Sequence, residues 1–280
     1  MDPFSIDAYT PQQVAKRVEQ VSLSKCTNDP FRVLALAVLA GAFIALGAAF
    51  YTLVVHEPGM MPPGVLKWLG GLAFSLGLVL VVVAGAELFT GNNLLVMAFV
   101  DNKISLRQLL NNWWLVYLGN FFGALTILVL MVLSGLWWQG DGSLAAKTVA
   151  IADSKVNLSF WEAFSRGVLC NLLVCLAVWL TMAGRSVTDK ILAVILPISA
   201  FVALGFEHSV ANMFVIPAGM VASNMEAWQG MGIIVSENLN MAGFLLGNLL
   251  PVTLGNLVGG SLLVGLCYWF IYLRDNKEQK

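Results

Sequence analysis

The stretch GFEHSVANM, residues 205–213, places Glu207 and His208 side by side between two apolar segments, residues 191–206 and 210–222. Apolar segments of that length are typical of membrane helices. Ionisable groups at that depth are costly, so they usually face a bundle interior or a water-filled path. Irregular backbone is tolerated there only where it is buried in protein or lines a cavity. The stretch therefore predicts a broken helix at a functional site, although the same pair could serve only to hold two helices together.

The composition predicts a polytopic membrane protein. Of 280 residues, 59% are hydrophobic and only 11% are charged, whereas an ordinary soluble domain has roughly 25% charged residues. A net charge of −1 indicates no basic surface for nucleic acid. The four cysteines form no C-x-x-C pair, and they read as small buried hydrophobic residues. We therefore expect no metal, no cofactor and no nucleic-acid partner.

Six apolar spans follow a polar N-terminal segment, and each reaches the roughly 20 residues that cross a bilayer. They are residues 31–55, 66–100, 106–138, 158–183, 188–222 and 242–273. The second and fifth spans are long and contain a polar interruption, so each is predicted to consist of two half-helices. The fold class predicted is an all-α polytopic membrane protein with six transmembrane helices, of which helices 2 and 5 are broken at mid-membrane.

Lysine and arginine residues predict the orientation, because they are enriched in cytoplasmic segments. Most of the fifteen lie in the N-terminal arm, in the loops after the second and fourth spans, or at the C-terminus. Both termini are therefore predicted to be cytoplasmic. The chain divides into a cytoplasmic arm (1–30), a six-helix transmembrane domain (31–274) and a cytoplasmic tail (275–280).

The N-terminal arm is predicted to contain a short amphipathic helix that starts at Thr10-Pro11. Threonine is a good N-cap, and proline suits the first helical position. Val14, Ala15, Val18 and Val21 share one face. Gln12, Lys16 and Glu19 are placed on the opposite, polar face. Such a helix suits a surface anchor or a movable plug.

The two halves of the chain resemble each other. GAELFTGN (85–92) aligns without gaps on GFEHSVAN (205–212), and GNFFG (119–123) matches GNLVG (255–259). Three spans per half is an odd number, so the second copy must be inverted in the membrane, with its site at mid-membrane. The Gly-Asn-x-x-Gly pairs are small-xxx-small patterns, and we interpret them as close helix packing rather than chemistry.

Three segments resemble the formate/nitrite transporter family, and within it the bacterial formate channels. They are VVAGAELFTG (82–91), GVLCNLLVCLA (167–177) and GFEHSVANM (205–213), and the likeness extends from about residue 10 to residue 274. The resemblance implies an aquaporin-like inverted 3+3 repeat in the lipid bilayer, and a homopentamer with one pore per protomer. It implies bidirectional passage of formate and related small monovalent anions across a bacterial inner membrane, and no enzymatic activity.

The resemblance also implies roles for particular residues. His208 and Thr90 would face each other at the pore centre, with Glu207, Asn171 and Lys155 as the polar network behind the histidine. Two apolar constrictions would be formed by Phe74, Leu78, Leu88, Phe89, Val174 and Phe201. In this family, N-terminal arms are thought to gate the pore with pH and to meet a cytosolic formate-producing enzyme.

These residue types suit the passage of a small carboxylate. Moving an ion into a dry interior is expensive unless the charge is compensated. Lys155 and the N-termini of half-helices would supply positive potential, and a histidine at position 208 could lend a proton, because a free imidazole titrates near neutral pH. Thr90 adds a hydroxyl that donates or accepts, while apolar constrictions resist hydrated ions.

Three other functions compete with this interpretation. A water or glycerol channel has two Asn-Pro-Ala motifs, which this chain lacks. An intramembrane enzyme is disfavoured because no H-E-x-x-H, G-x-S-x-G or cysteine-rich motif is present. A proton-coupled symporter of small monocarboxylates remains open, because a histidine serves either scheme. The residues alone also leave formate, nitrite, hydrosulfide and acetate open as substrates.

Overall fold

The computed structural model describes residues 8–57, 59–138, 140–225 and 234–274, and these residues contain helices and no strand. The predicted C-terminal tail and the loop residues 226–233 lie outside them. The α-helices are α1 (Pro11–Thr27), α2 (Pro30–Val55), α3 (Pro63–Val83), α4 (Val96–Val100), α5 (Leu106–Leu133), α6 (Ser143–Val156), α7 (Phe160–Ala183), α8 (Val187–Ala203), α9 (Ser209–Ala222), α10 (Leu250–Leu257) and α11 (Cys267–Tyr272). A 3₁₀ turn, Gly91–Leu95, leads into α4.

Within the described residues, five helices are long and apolar enough to cross a membrane. They are α2, α3, α5, α7 and the last span, Gly243–Tyr272. This confirms the coarse prediction of an all-helical chain with several membrane-capable helices. Predicted spans 66–100 and 188–222 each contain two separate helical segments, of which Gly91–Val100 and Ser209–Ala222 are the shorter apolar ones.

The last span mixes helix types. Its segments Gly243–Leu249 and Val258–Leu266 are π-helical and flank α10. Runs of π-helix often occur at functional sites, because the wider turn re-aims side chains. Here the first π segment contains Asn248, which joins the polar site described below.

The sequence did not predict α6. Residues 139–157 read as a connecting loop, yet Ser143–Val156 forms a 14-residue helix. Its mixed composition has too little apolar length to stand out as a span. The helix packs mainly against α9, and its last turn contains Lys155.

The predicted start of α1 is confirmed. Thr10 is the N-cap, its hydroxyl accepts from the Gln13 amide, and the Gln13 side chain accepts from the Thr10 amide in return. This reciprocal capping satisfies two of the amides that a helix start leaves open. Val14 and Val18 are buried, as the amphipathic pattern predicts.

The polar face predicted for α1 is not solvated at Glu19. Glu19 is only 4% exposed and forms an ion pair with Lys103, which also lies 3.1 Å from Asp101. The apolar face of α1 is thus flanked by a buried carboxylate that meets the loop after α4. The burial of a charged residue can be predicted only when its partner is known. Here the partner, Lys103, lies 84 residues away in the sequence.

The small-xxx-small patterns mark close helix packing, as interpreted from the sequence. A Cβ added at Gly123 of α5 would lie 1.9 Å from the Val38 carbonyl oxygen of α2. The equivalent Cβ at Gly259 would lie 2.1 Å from the Val168 carbonyl oxygen of α7. Helices α2 and α5, and in the second half α7 and the last span, therefore approach each other backbone to backbone.

Candidate functional site

Two matching interruptions of the backbone bring the polar residues together. After α3 the chain turns at Gly85 (φ +81°), and after α8 it turns at Gly205 (φ +72°). These left-handed conformations favour glycine. The amides two residues after each glycine are held by neighbouring helices, since Glu87 N–H donates to the Leu36 carbonyl and Glu207 N–H to the Arg166 carbonyl, both at 3.2 Å.

The second interruption carries a buried polar group that we name the Glu207 cluster: Lys155, Glu207, Asn212, Asn248 and Asn256. Lys155 Nζ donates to Glu207 Oε1 at 2.7 Å, and Asn212 Nδ2 donates to Glu207 Oε2 at 2.7 Å. Asn248 accepts from Asn212 and donates to the Lys155 carbonyl at 2.9 Å. Asn256 Nδ2 donates to the Glu207 carbonyl at 3.0 Å. Glu207 and Lys155, both predicted from the sequence, therefore form a compensated charge pair.

The first interruption carries a matching group, the Glu87 cluster: Lys25, Glu87, Asn92, Asn112 and Asn120. Lys25 Nζ lies 3.0 Å from Glu87 Oε2, and Asn92 Nδ2 donates to the same oxygen at 2.7 Å. Asn112 accepts from Asn92 and donates to the Lys25 carbonyl at 3.3 Å. Asn120 Nδ2 donates to the Glu87 carbonyl at 2.9 Å. The two halves thus share a contact pattern, and not only a sequence pattern.

Sequence reasoning missed Lys25, and with it the Glu87 cluster as a site. The aligned repeat already paired Glu87 with Glu207 and Asn92 with Asn212. The lysine could not be found in this way, because Lys25 lies on α1, in the arm treated as peripheral. By contact, α1 corresponds to α6, since each contributes one lysine from its last turn.

The asparagines of the two Gly-Asn-x-x-Gly motifs have a role that close packing alone did not predict. Asn120 Oδ1 accepts from the Phe89 amide at 2.9 Å, and Asn256 Oδ1 accepts from the Ser209 amide at 3.0 Å. Each side chain also donates to the carbonyl of the adjacent glutamate. Both are fully buried, so they satisfy backbone groups that the interruptions would otherwise leave without partners.

Thr90 and His208, predicted to face each other, lie in contact between the two interruptions. Thr90 Oγ1 is 2.9 Å from His208 Nε2, and the two residues are 0% and 3% exposed. His208 Nδ1 accepts from the Ala211 amide at 3.1 Å and thereby caps α9. The Phe201 ring lies nearly parallel to the imidazole, with centroids 6.1 Å apart.

Asn171 lies beside Thr90 instead of behind the histidine. Its Nδ2 donates to Asn93 Oδ1 and to the Asn256 carbonyl, both at 2.7 Å, and lies 3.3 Å from the Thr90 carbonyl. The Asn171 side chain projects from α7 towards the junction of the first interruption and the last span. It therefore joins the Glu207 cluster only through Asn256, and it braces the threonine.

Two cavities lie near the Thr90–His208 contact: His208 lines the smaller one, and Gly91, the residue after Thr90, lines the larger one. The larger, the Lys25 cavity, has a volume of about 300 Å³ and is lined in part by Lys25, Glu87, Leu78, Leu88 and Val18. The smaller, the Lys155 cavity, has a volume of about 90 Å³ and is lined in part by Lys155, Glu207, His208, Phe74, Phe201 and Tyr51. In the aligned repeat Leu88 corresponds to His208, so the imidazole belongs to one cavity and an isobutyl group takes its place in the other.

The six apolar residues expected at constrictions lie in four different places. Phe74 and Phe201 make an edge-to-face contact, with centroids 5.5 Å apart, at the Lys155 cavity. Leu78 and Leu88 line the Lys25 cavity. Phe89 lines a groove between α5 and the last span and packs on Tyr117 with centroids 4.9 Å apart. Val174 is buried in the helix core.

The arrangement has the parts of a path for a small polar solute. Two cavities are each lined by a lysine–glutamate pair, and a hydroxyl and an imidazole in contact lie close to them. Among the residues described, no group of three or more His, Cys, Asp or Glu side chains is placed to hold a metal ion.

Comparison with known proteins agrees with this architecture. Residues 12–270 match the family model described as formate/nitrite transporter. The chain is 45% identical over 280 residues to the formate channel FocA of Escherichia coli K12, covering 98% of each chain. It is 41% identical to the formate channel FocA of Haemophilus influenzae, covering 92% of this chain and 93% of that one.

A solved structure described as a pentameric formate channel with formate bound is similar in fold. It superimposes with a TM-score of 0.82 at 43% identity, covering 88% of this chain and 98% of that one. A structure described as an ion channel of the same family has a TM-score of 0.76 at 29% identity. The fold and the polar centre thus define a membrane channel or transporter. The chain belongs to the formate/nitrite transporter family.

Proposed function

We propose that this protein is a formate channel, which moves formate and related small monovalent anions in both directions across a bacterial inner membrane. The observation that carries the proposal is the buried Thr90–His208 contact, with one lysine-lined cavity bordered by His208 and a second bordered by Gly91, the residue after Thr90. The formate-channel relatives, at up to 45% identity over almost the whole chain, support formate as the substrate.

The proposed transmembrane architecture is an inverted repeat of six spans. Helix α3 with Gly91–Val100, and α8 with α9, each cross the bilayer as one interrupted span, and the interruptions lie at mid-membrane. The matching Glu87 and Glu207 clusters support this arrangement, because they relate the two halves contact by contact. Five protomers assemble, each with its own pore, and the pentameric structural relative supports that number.

The proposed orientation places both termini, α1 and the Lys25 cavity on the cytoplasmic side, and the Lys155 cavity outside. The lysine and arginine distribution supports it. In this orientation α1 covers the inner mouth, since Val18 lines the Lys25 cavity. The arm is then placed to contribute to gating at that mouth, and its exposed polar face is available to a cytosolic formate-producing enzyme.

The two lysines address the cost of removing an anion from water. Each lysine is paired with a buried glutamate, at 3.0 Å for Lys25 and 2.7 Å for Lys155. The lysines remain 23% and 18% exposed in their side chains, whereas the glutamates are 7% and 4% exposed. An anion in either cavity therefore meets the ammonium more readily than the carboxylate. Asn212 and Asn92 hold the carboxylates back through hydrogen bonds.

Thr90 and His208 lie at the least hydrated part of the proposed path. Phe74, Phe201, Leu78 and Leu88 line the approaches, so an anion that reaches Thr90 and His208 has lost most of its water. His208 then lends a hydrogen bond or a proton, which reduces the charge that has to be desolvated. Phe89 and Val174 shape the surrounding wall, and Asn171 positions Thr90.

Flux into proteoliposomes tests the proposal, with formate, nitrite, acetate and glycerol as solutes. The parent protein should pass formate and exclude glycerol, because an uncharged polyol gains nothing from the lysines. His208→Phe should close the path, since an apolar ring offers no hydrogen bond to a desolvated carboxylate. His56→Phe changes the other histidine and should behave like the parent. Glycerol passage with no formate flux would refute the proposal.

A further inference from the structure

The hydrogen bonds at both ring nitrogens of His208 define its protonation state in this conformation. The Ala211 amide donates to Nδ1 at 3.1 Å, and an amide donor requires a lone pair there. Nδ1 therefore carries no hydrogen. A neutral imidazole then holds its hydrogen on Nε2, so the 2.9 Å contact runs from His208 Nε2–H to Thr90 Oγ1.

The direction of that hydrogen bond determines whether the Thr90 hydroxyl can donate its hydrogen to a solute. Because its oxygen accepts from the imidazole, its own hydrogen must point elsewhere. Among the residues that the structure describes, the hydroxyl makes no hydrogen bond except the one to His208. The contacts of Asn171 and Cys175 go to the Thr90 carbonyl instead. The hydroxyl hydrogen is thus the group left to donate to a solute.

The groups around the imidazole leave this arrangement intact. The carboxylate of Glu207 accepts from Lys155 of α6, and from Asn212 and Asn248. The His208 imidazole therefore has its own hydrogen-bond partners and does not depend on either carboxylate oxygen of Glu207. Tyr51 of α2 lines the same cavity, and Phe201 of α8 stacks on the ring at 6.1 Å. No described titratable group of these elements competes with the Ala211 amide for Nδ1.

We propose that the first turn of α9 holds His208 as the neutral Nε2–H tautomer and orients a one-way row of donors. The row runs from the Ala211 amide to His208, from His208 to Thr90, and from the Thr90 hydroxyl to the anion. Chains of hydrogen bonds with one direction strengthen each other. Ala211 is a positioning residue in this scheme, acting through its backbone. The inference rests on the proposed function only for the identity of the final acceptor.

A consequence concerns how the histidine gains a proton. The added proton has to go to Nδ1, since Nε2 already carries one. It then displaces the Ala211 amide, which becomes a buried donor without an acceptor. Protonation of His208 is therefore coupled to release of the ring from the start of α9. The His208 side chain can thus either cap α9 through Nδ1 or carry the added proton that it lends to formate, but it cannot do both at once.

Nitrogen NMR of histidine-labelled protein tests the tautomer directly. The chain has two histidines, so His56→Gln leaves His208 as the single labelled ring. At pH ~7, near the neutral range of imidazole, Nδ1 should give a pyridine-type signal and Nε2 a pyrrole-type signal. Ala211→Pro removes the amide at a first-turn position where proline is tolerated. It should raise the population of the Nδ1–H tautomer by about tenfold, because the lost cap is a buried hydrogen bond.

The control and the contrary outcome separate this inference from the transport proposal. Ala211→Gly keeps the amide, removes one methyl group and should retain the parent spectrum. A pyrrole-type Nδ1 in the parent overturns the inference, whether or not formate flux is observed. The predicted tautomer in a protein that passes no formate overturns the proposed function alone. If Ala211→Pro does not fold, the parent spectrum decides.

Discussion

At the scale of single residues, the site depends on buried asparagine side chains as well as on the charged residues. The sequence predicted Glu207 and His208 because an ionisable group in an apolar run is conspicuous, whereas Thr90 and Lys155 were expected only from the resemblance to the family. It did not predict that Asn120 and Asn256 form hydrogen bonds with backbone groups of the two interruptions. An amide inside a helix carries no such signal, and its value depends on which backbone groups lie within reach in three dimensions.

Replacing Asn120 by leucine should destabilise the protein strongly. The side chain accepts from the Phe89 amide and donates to the Ala37 and Glu87 carbonyls. Buried backbone groups left unpaired cost on the order of 1–3 kcal/mol each, so a loss of about 3 kcal/mol or more is expected. Asn111→Leu, an exposed position on the same helix, is the control. Thermal unfolding in detergent measures both, and equal stability of the two variants would contradict the role assigned to Asn120.

At the scale of elements, the helices fall where apolar length predicted them, and the exceptions share a cause. Helix α6 is short and mixed in composition, and α1 was treated as peripheral because it is polar. Both contribute their lysines through contacts distant in sequence: Lys25 meets Glu87 across 62 residues and Lys155 meets Glu207 across 52. Periodicity describes one element at a time, so it cannot reveal that α1 and α6 correspond.

Close packing between helices gives matched predictions in the two halves. Gly123→Ala and Gly259→Ala should each lower the melting temperature, since the added Cβ would lie about 2 Å from a backbone carbonyl oxygen and the helices must separate. Gly64→Ala adds a Cβ with no atom within 4 Å and should be neutral. Pentamer content on native gels is measured alongside. Full stability of both tight variants would show that the helices separate at little cost.

The docking of α1 should depend on pH through Glu19. Burial raises the pKa of Glu19, with Lys103 acting in the opposite direction. A carboxyl with a raised pKa holds its proton more tightly in the docked state, so docking is favoured at acidic pH. It weakens as the pH rises through the raised pKa. The pKa of Lys103 is also raised, so this residue stays charged over the same range.

A spin label at the exposed position Gln20, in a variant without native cysteines, reports the mobility of α1. Mobility should increase as the pH rises from ~4 to ~8, a range around the ordinary carboxyl value. Glu19→Gln should abolish the dependence, because a neutral amide cannot titrate. Glu237→Gln, an exposed position remote in sequence, should keep the parent profile. A persisting dependence in Glu19→Gln would place the titrating group elsewhere.

At the scale of the whole molecule, the weak internal repeat was the most informative feature of the sequence. Two short motifs predicted the paired interruptions, and the structure extends the likeness to ten residues in two clusters. Five of the eight aligned motif positions differ between the halves, and at one of them Leu88 in one cavity corresponds to His208 in the other. Among the described residues, His208 is the one histidine that lines either cavity, and pH sensitivity of transport is expected to depend on it.

The most direct test of this account is the rate of formate entry into proteoliposomes, measured from pH ~5 to ~8 across the titration range of histidine. His208→Asn keeps a polar group of similar size that cannot titrate. It should still pass formate, with the pH dependence of entry largely lost, whereas His56→Asn should match the parent at every pH. If His208→Asn shows the same pH profile as the parent, the histidine is structural and the central claim is wrong.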